Sequence, residues 1–242
     1  MKARRFYALV ASVVVLVLPA SAETADQWIA KARAFLGGES ALNAVTSVHY
    51  TGSLETQGRT GLPAEIIFQK PFRQRITVQG PKEIETTALD GYDAWQKRTN
   101  AENPVQWRII LLDAPQIKRL RANTLENLSF YSLRDMKGTV VELAGDVTVD
   151  GIACVKISFA HSGNVVFHRF FDKSTGRLVK TETENGTEIR EEGEMVVNGV
   201  RFPKRVVNKA PNGNITAITF DKVTVNEVFP SDTFAVPSLQ VR

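Results

Sequence analysis

Short turn signals recur along this chain at a spacing that suits an antiparallel meander. Asx-Gly pairs stand at Asp90-Gly91, Asp150-Gly151, Asn185-Gly186, Asn198-Gly199 and Asn212-Gly213, and Ser162-Gly163 and Thr175-Gly176 fill the gaps. Such pairs supply the positive φ values of tight hairpins. In the C-terminal half they come every 10 to 14 residues. Between them the apolar residues alternate. Val48, Tyr50 and Leu54 alternate with His49, Thr51, Ser53 and Glu55; Ala64, Ile66 and Phe68 with Glu65 and Gln69; Phe72, Ile76 and Val78 with Arg73, Arg75, Thr77 and Gln79. A period of two means strands with one buried and one solvated face. About a dozen candidate strands follow, and their even spacing predicts one large curved sheet.

Two segments break this rhythm. Thr24 and Gln27 fit a capping box, and Trp28, Ile29, Ala32, Phe35 and Leu36 form an apolar helical face that Gly37-Gly38 stops. A short helical turn is expected over Ser40 to Val45. The second segment runs from Asn103 to Met136. Trp107, Ile109, Ile110, Leu111 and Leu112 give way to Ile117, Leu120, Leu125, Leu128 and Tyr131 with few β-turn signals, which predicts one or two helices. The fold class expected is mainly β with helices (α+β): one antiparallel sheet, an N-terminal helix and a mid-chain helical insert.

Residues 1–22 read as a secretory signal. Lys2, Arg4 and Arg5 precede an apolar run from Phe6 to Leu18, and Ala20-Ser21-Ala22 offers a small-residue cleavage site. Cleavage after Ala22 removes 22 of 242 residues and leaves 220 as a single domain over 23–242. It also removes three basic and no acidic residues, which takes the formal charge from +4 to +1. A chain so close to neutral has little pull on a phosphate backbone, so no nucleic-acid partner is expected. The single cysteine excludes a disulfide framework within the monomer and any Cys-based zinc module. Cys154 lies in an apolar strand pattern and reads as a buried small hydrophobe.

Few residues suggest chemistry. His49, His161 and His168 have no metal-ligand spacing, and there is no nucleophile elbow, Walker loop or dinucleotide Gly fingerprint. No catalytic residue, metal or cofactor is therefore expected, and the chain reads as a non-enzyme. Asp172 to Gly176 reads as a hairpin turn. Glu188, Glu191, Glu192 and Glu194 read as the solvated face of a strand. Lys118, Arg119 and Arg121 form a basic patch on the insert, either a plain exposed helix face or a contact for anionic headgroups or an acidic partner. Val165, Val166, Phe167, Phe170 and Phe171 crowd both faces of one strand, which must then be covered on both sides. The apolar surplus fits a sheet packed on its own helices. It fits equally well an apolar cavity between sheet and helices.

Three motifs carry a resemblance. They are Ile67-Phe68-Gln69-Lys70-Pro71-Phe72-Arg73, Leu89-Asp90-Gly91-Tyr92-Asp93-Ala94-Trp95 and Asp232-Thr233-Phe234-Ala235-Val236-Pro237. In this order, with the opening and mid-chain helices, the chain resembles the LolA superfamily of periplasmic lipoprotein carriers. The resemblance implies an unclosed β-barrel lidded by helices, with a cavity for acyl chains. It also implies that a basic residue before the corner proline hydrogen-bonds the lid. Here that latch is Lys70, which lacks the planar fork of arginine. No cysteine follows the cleavage site, unlike the lipid-anchored receptor of the superfamily.

The function expected on this basis is a soluble, monomeric periplasmic carrier or binding protein for lipids or lipoprotein acyl chains. Its partners would be the acylated cargo and inner- or outer-membrane transport proteins. The alternative is a regulatory or structural partner-binding protein of the same fold without lipid cargo. Phe68, Trp95, Trp107, Phe130 and Phe167 are the expected cavity wall or lid, each of them equally consistent with ordinary core.

Overall fold

The computed structural model describes residues 23–133 and 136–237; residues 1–22, read from the sequence as a secretory signal, lie outside them. The chain opens with α1 (Ala25–Leu36) and the short α2 (Glu39–Asn43). Thr24 and Gln27 form the expected capping box, and the buried face of α1 includes Trp28, Ile29 and Ala32. Gly37 then lets the chain turn close against the sheet, where a methyl group would run into the Gly199 carbonyl.

Six strands follow: β1 (Ser47–Thr56), β2 (Arg59–Gln69), β3 (Arg73–Gln79), β4 (Glu83–Asp90), β5 (Asp93–Asn100) and β6 (Trp107–Leu111). After α3 (Ala114–Leu128) come β7 (Thr139–Val149), β8 (Ile152–His161), β9 (Val165–Asp172), β10 (Leu178–Thr183), β11 (Glu188–Val197), β12 (Val200–Lys209) and β13 (Ile215–Val225). All thirteen belong to one antiparallel sheet in the order β6-β5-β4-β3-β2-β1-β13-β12-β11-β10-β9-β8-β7. The sheet is not closed into a barrel. β1 pairs with both β2 and β13, so the first and last strands meet at its centre. The edges are β6 and β7, the two strands joined through α3. The lid helix therefore bridges the opening that an unclosed sheet leaves.

The turn signals perform as read. At Asp150-Gly151 and Asn198-Gly199 both central residues have positive φ (50° and 80°; 50° and 78°), the geometry that matches the twist of two-residue hairpins. The aromatic-rich β9 is covered on both faces. Phe167 and Phe171 join the concave core, while Phe170 packs with Cys154, Val149 and Val179 on the other side. The ammonium groups of Lys156 and Lys180 cap the outer Phe170 ring at 5.4 and 4.7 Å.

One expectation is corrected. Trp107 to Leu111, read from the sequence as helical, is the edge strand β6 paired with β5. The run is short, β-branched and aromatic, and Ile110 and Leu111, on opposite faces of this edge strand, are both exposed. Only after Asp113 does the helix begin. The Asp113 carboxylate accepts from the Gln116 amide at 2.9 Å, and Gln116 Oε1 accepts from the Asp113 amide at 2.9 Å. That Asp-x-x-Gln capping box was readable in the sequence as the true start of α3.

Candidate functional site: an apolar cavity beneath α3

Two apolar clusters occupy the concave face. One gathers Trp28, Ile29 and Ala32 of α1 with Val155, Ile157 and Phe159 of β8 and Phe167 and Phe171 of β9, sealed by Tyr131 and Leu133. The other gathers Val48, Tyr50, Ile66, Phe68, Phe202, Phe220 and Val223 with Leu42, Val45, Leu128 and Phe130. The second cluster is not filled. Between the sheet and α3 it leaves a cavity of about 340 Å³ walled by Tyr50, Ile66, Phe68, Phe130, Phe202 and Phe220, with Phe167 at its far side. That volume lies within the range of small-molecule sites.

Polar staples hold the lid over this space, one along each part of α3. From its first half, Arg121 Nη1 donates to the Gly91 carbonyl at 2.6 Å, its guanidinium lying 3.8 Å from the Phe72 ring and 4.0 Å from that of Tyr92. Arg119 pairs with Glu184 beyond the end of β10. In the middle, the Oε1 of buried Gln74 on β3 accepts from the Thr124 hydroxyl at 3.1 Å. Glu126 reaches the other half of the sheet, 2.5 Å from His161 Nε2 and 2.6 Å from Arg169 Nη2, all three side chains being buried. At the end, Arg33 of α1 donates through Nη1 to the carbonyls of Ser129 and Phe130 at 2.9 and 2.8 Å. Its other nitrogens are held by Glu39 at 2.5 and 2.7 Å. These carbonyls follow the helix C-terminus, where unsatisfied acceptors collect and a cation is favoured.

The basic patch read from the sequence is thus largely committed to anchoring the lid. Of the expected site residues, Phe68, Phe130 and Phe167 line the cavity. Trp95 does not. It is a buried residue of β5, and its Nε1 donates to the Phe234 carbonyl at 2.9 Å, pinning the C-terminal strap. Trp107 does not either, because it sits on β6 with the Lys97 ammonium 4.7 Å from its ring. Lys70 lies exposed at the cis Lys70–Pro71 corner, and its side chain makes no hydrogen bond among the described residues. Partial burial and the positive charge of Arg33 lower its pKa. The hydrogen bonds from a basic side chain to the end of the lid come instead from Arg33.

The acidic strand divides by parity. Glu188, Glu192 and Glu194 face outward in ion pairs with Arg190, Arg205 and Arg201. Glu191 lies on the inner face and lines the cavity. It is deep within the concavity yet open to its solvent. Burial raises its pKa, and Arg169 opposes that rise. The hydroxyls of Tyr50 and Tyr131 are pushed up by their own burial and by the charge of Glu191.

Arg33, Glu126, Arg169 and Glu191 were missed by the sequence reading. A signal existed for two of them. Arg169 interrupts the inward Phe167 and Phe171, and Glu191 interrupts the inward Ile189, Met195 and Val197. A charge at an inward position is the signal.

The histidines are dispersed. His49 bridges Glu65 and Glu227, His161 meets Glu126, and His168 lies 2.8 Å from the Ser158 hydroxyl. No group of three or more His, Cys, Asp or Glu among the described residues is placed to hold a metal ion.

Neither protein-family models nor curated proteins give a match to this sequence. Solved structures do. A LolA superfamily protein from Nitrosomonas europaea matches with a TM-score of 0.57 at 13% identity, over 89% of this chain and 99% of that one. A domain named for outer membrane lipoprotein sorting, from Vibrio parahaemolyticus, matches with a TM-score of 0.56 at 9% identity, over 86% and 94%. A DUF1329 family protein from Desulfovibrio piger matches with a TM-score of 0.55 at 12% identity, over 88% and 98%. The likeness at these identities is one of fold: the chain has the architecture seen in the LolA superfamily, as the motifs implied.

Proposed function

We propose that this protein is a soluble periplasmic carrier or binding protein for lipids or lipoprotein acyl chains, exported by its signal segment. The observation that carries this reading is the aromatic-walled cavity left open between the concave sheet and α3. Each methylene taken from water into such a space contributes about 0.8 kcal/mol, so a chain crossing the aqueous compartment gains from shelter. Release must remain possible. A lid held by its own polar staples when empty competes with cargo that would displace it, which limits net affinity. Arg33 and Glu126 would be the groups that set this balance, with Lys70 beside Arg33 at the same corner. Among the described residues no helix is long and apolar enough to cross a membrane.

The test is mass spectrometry of lipids extracted from protein purified gently from its native periplasm. A stoichiometric acylated species supports the reading, and repeated absence from folded protein overturns it. Phe68→Glu and Phe167→Glu place a charge in the cavity wall, and folded variants that carry lipid as before would also refute this lining.

A second reading has one observation in its favour. The edge strand β7 leaves Val140, Leu143 and Val147 exposed beside an unpaired backbone edge, the arrangement that a partner strand can extend. A stoichiometric protein partner recovered without lipid would favour a regulatory or structural role.

A further inference from the structure

The main cavity runs into a smaller space of about 170 Å³, with which it shares Leu36, Tyr131, Glu191, Arg201 and Phe202. This mouth is edged by four charged side chains: Arg177, Glu191, Glu194 and Arg201. Arg201 and Glu194 satisfy each other at 2.7 Å. Glu191 and Arg177 are different, because neither side chain has a hydrogen bond or ion pair among the described residues. Arg169 acts on Glu191 through its charge from the cavity side, yet no hydrogen bond or ion pair joins the two among the described residues, and the buried Nε and Nη1 of Arg169 have no hydrogen-bond partner there. Its Nη2 is held by Glu126, and its guanidinium lies against the rings of Tyr131 and Phe159 at 4.6 and 5.3 Å.

The consequence follows from desolvation. An acyl chain that fills the main cavity expels the water that now solvates Glu191. A carboxylate left dry and unpartnered is costly unless the ligand brings a donor or the carboxylate takes up a proton. A fatty acid brings a second anion to the same place. A simple alkylamine would satisfy Glu191 and add positive charge beside Arg177. A head that carries both an ammonium and an anion satisfies both groups. We propose that the mouth holds the head of a zwitterionic amphiphile, its ammonium on Glu191, its anionic group on Arg177 and its acyl chain in the main cavity. This rests on the reading of the cavity as an acyl site and names the class of cargo. Burial raises the pKa of Glu191 in spite of the opposing charge of Arg169, as for a carboxylate with no cation hydrogen-bonded to it.

The test is calorimetric titration of the protein, below micelle-forming concentrations, with three amphiphiles of one acyl length: a lysophosphatidylethanolamine, the fatty acid and the alkylamine. The zwitterion should bind at least about tenfold more tightly than either singly charged ligand, the gain expected from one charge-assisted hydrogen bond. Glu191→Gln should remove its advantage over the fatty acid, and Arg177→Gln its advantage over the alkylamine. Equal affinities for all three ligands, or an advantage that survives Glu191→Gln, would overturn the inference and leave the acyl site standing. Failure of all three to bind would overturn both. Should Glu191→Gln melt early, the ranking of the three ligands on the unmodified protein decides alone.

Discussion

The two halves of the concave face are built from the same residue types and end in different states. On the β8–β9 side, Phe159, Phe171, Ile157 and Leu133 are fully buried, because Trp28, Ile29 and Ala32 of α1 pack into the same cluster. On the side of β1, β2, β12 and β13, α2 is short and cannot cover the strands, so Phe68, Phe202 and Phe220 face a space roofed by α3. One half holds the fold together and the other is left hollow. The difference comes from which helix sits above the sheet. Two readings that the sequence could not separate, a self-packed sheet and a cavity, are both correct, each for one half.

The widest contrast should appear in paired truncations. Phe159→Ala in the filled half should cost about 4 kcal/mol, as for buried aromatic rings that leave a void. Phe202→Ala should cost about 2 kcal/mol, because a ring that already borders empty space loses fewer neighbours. Denaturant unfolding of both variants measures this, and equal losses would mean that the hollow half is filled in solution.

Next comes the staple that crosses between the halves. Glu126→Ala leaves Arg169 buried without its counter-ion and should destabilise by about 3 kcal/mol. A loss below about 1 kcal/mol would show that the cation finds water instead.

Arg33→Lys keeps the charge but loses the fork that binds Glu39 and the two lid carbonyls together. We expect a loss of about 1–2 kcal/mol, with faster amide hydrogen exchange confined to the end of α3. Exchange that rises uniformly along the chain would remove Arg33 from any special relation to the lid.

The smallest effect belongs to the turn after β9. Hydrogen bonds from the Ser174 hydroxyl and amide and from Thr175 hold the Asp172 carboxyl at about 2, below its ordinary 3.8. A depressed carboxyl contributes stability above its unfolded value and loses it as pH falls through the folded one. The turn is open to solvent, so screening leaves less than about 1 kcal/mol. Asp172→Asn should melt lower than the unmodified protein at pH 7, and the gap should narrow below about pH 4 and close by about pH 1. A gap that persists in acid would point to the turn backbone rather than to the charge.

Legibility from sequence followed the range of the interaction. The capping box at Thr24, the hairpins at Asp150-Gly151 and Asn198-Gly199 and the alternation along β1 to β3 are local, and each was readable because neighbouring residues decide it. Trp107 to Leu111 was misread because a short apolar run suits helix or strand, and only its pairing with β5 settles the matter. Of the residues expected at the cavity, Phe68, Phe130 and Phe167, singled out for their apolar excess, do line it. Trp95 has the same excess and serves the C-terminal strap instead. The charged members escaped notice because Arg33, Glu126 and Arg169 come from three elements, and only the packed fold brings them to the lid.

The sequence by itself therefore determined the secondary structure outside β6, the meander order of the C-terminal strands and the presence of more apolar surface than one sheet face can use. Those properties rest on backbone preferences and on a period of two, which act over a few residues. Tertiary structure alone decided where that surplus is spent, which edges α3 bridges, and that Arg33, Glu126 and Arg169 meet at the lid. Those outcomes depend on contacts between distant segments, whose geometry is set only when the sheet curves and the helices settle on it.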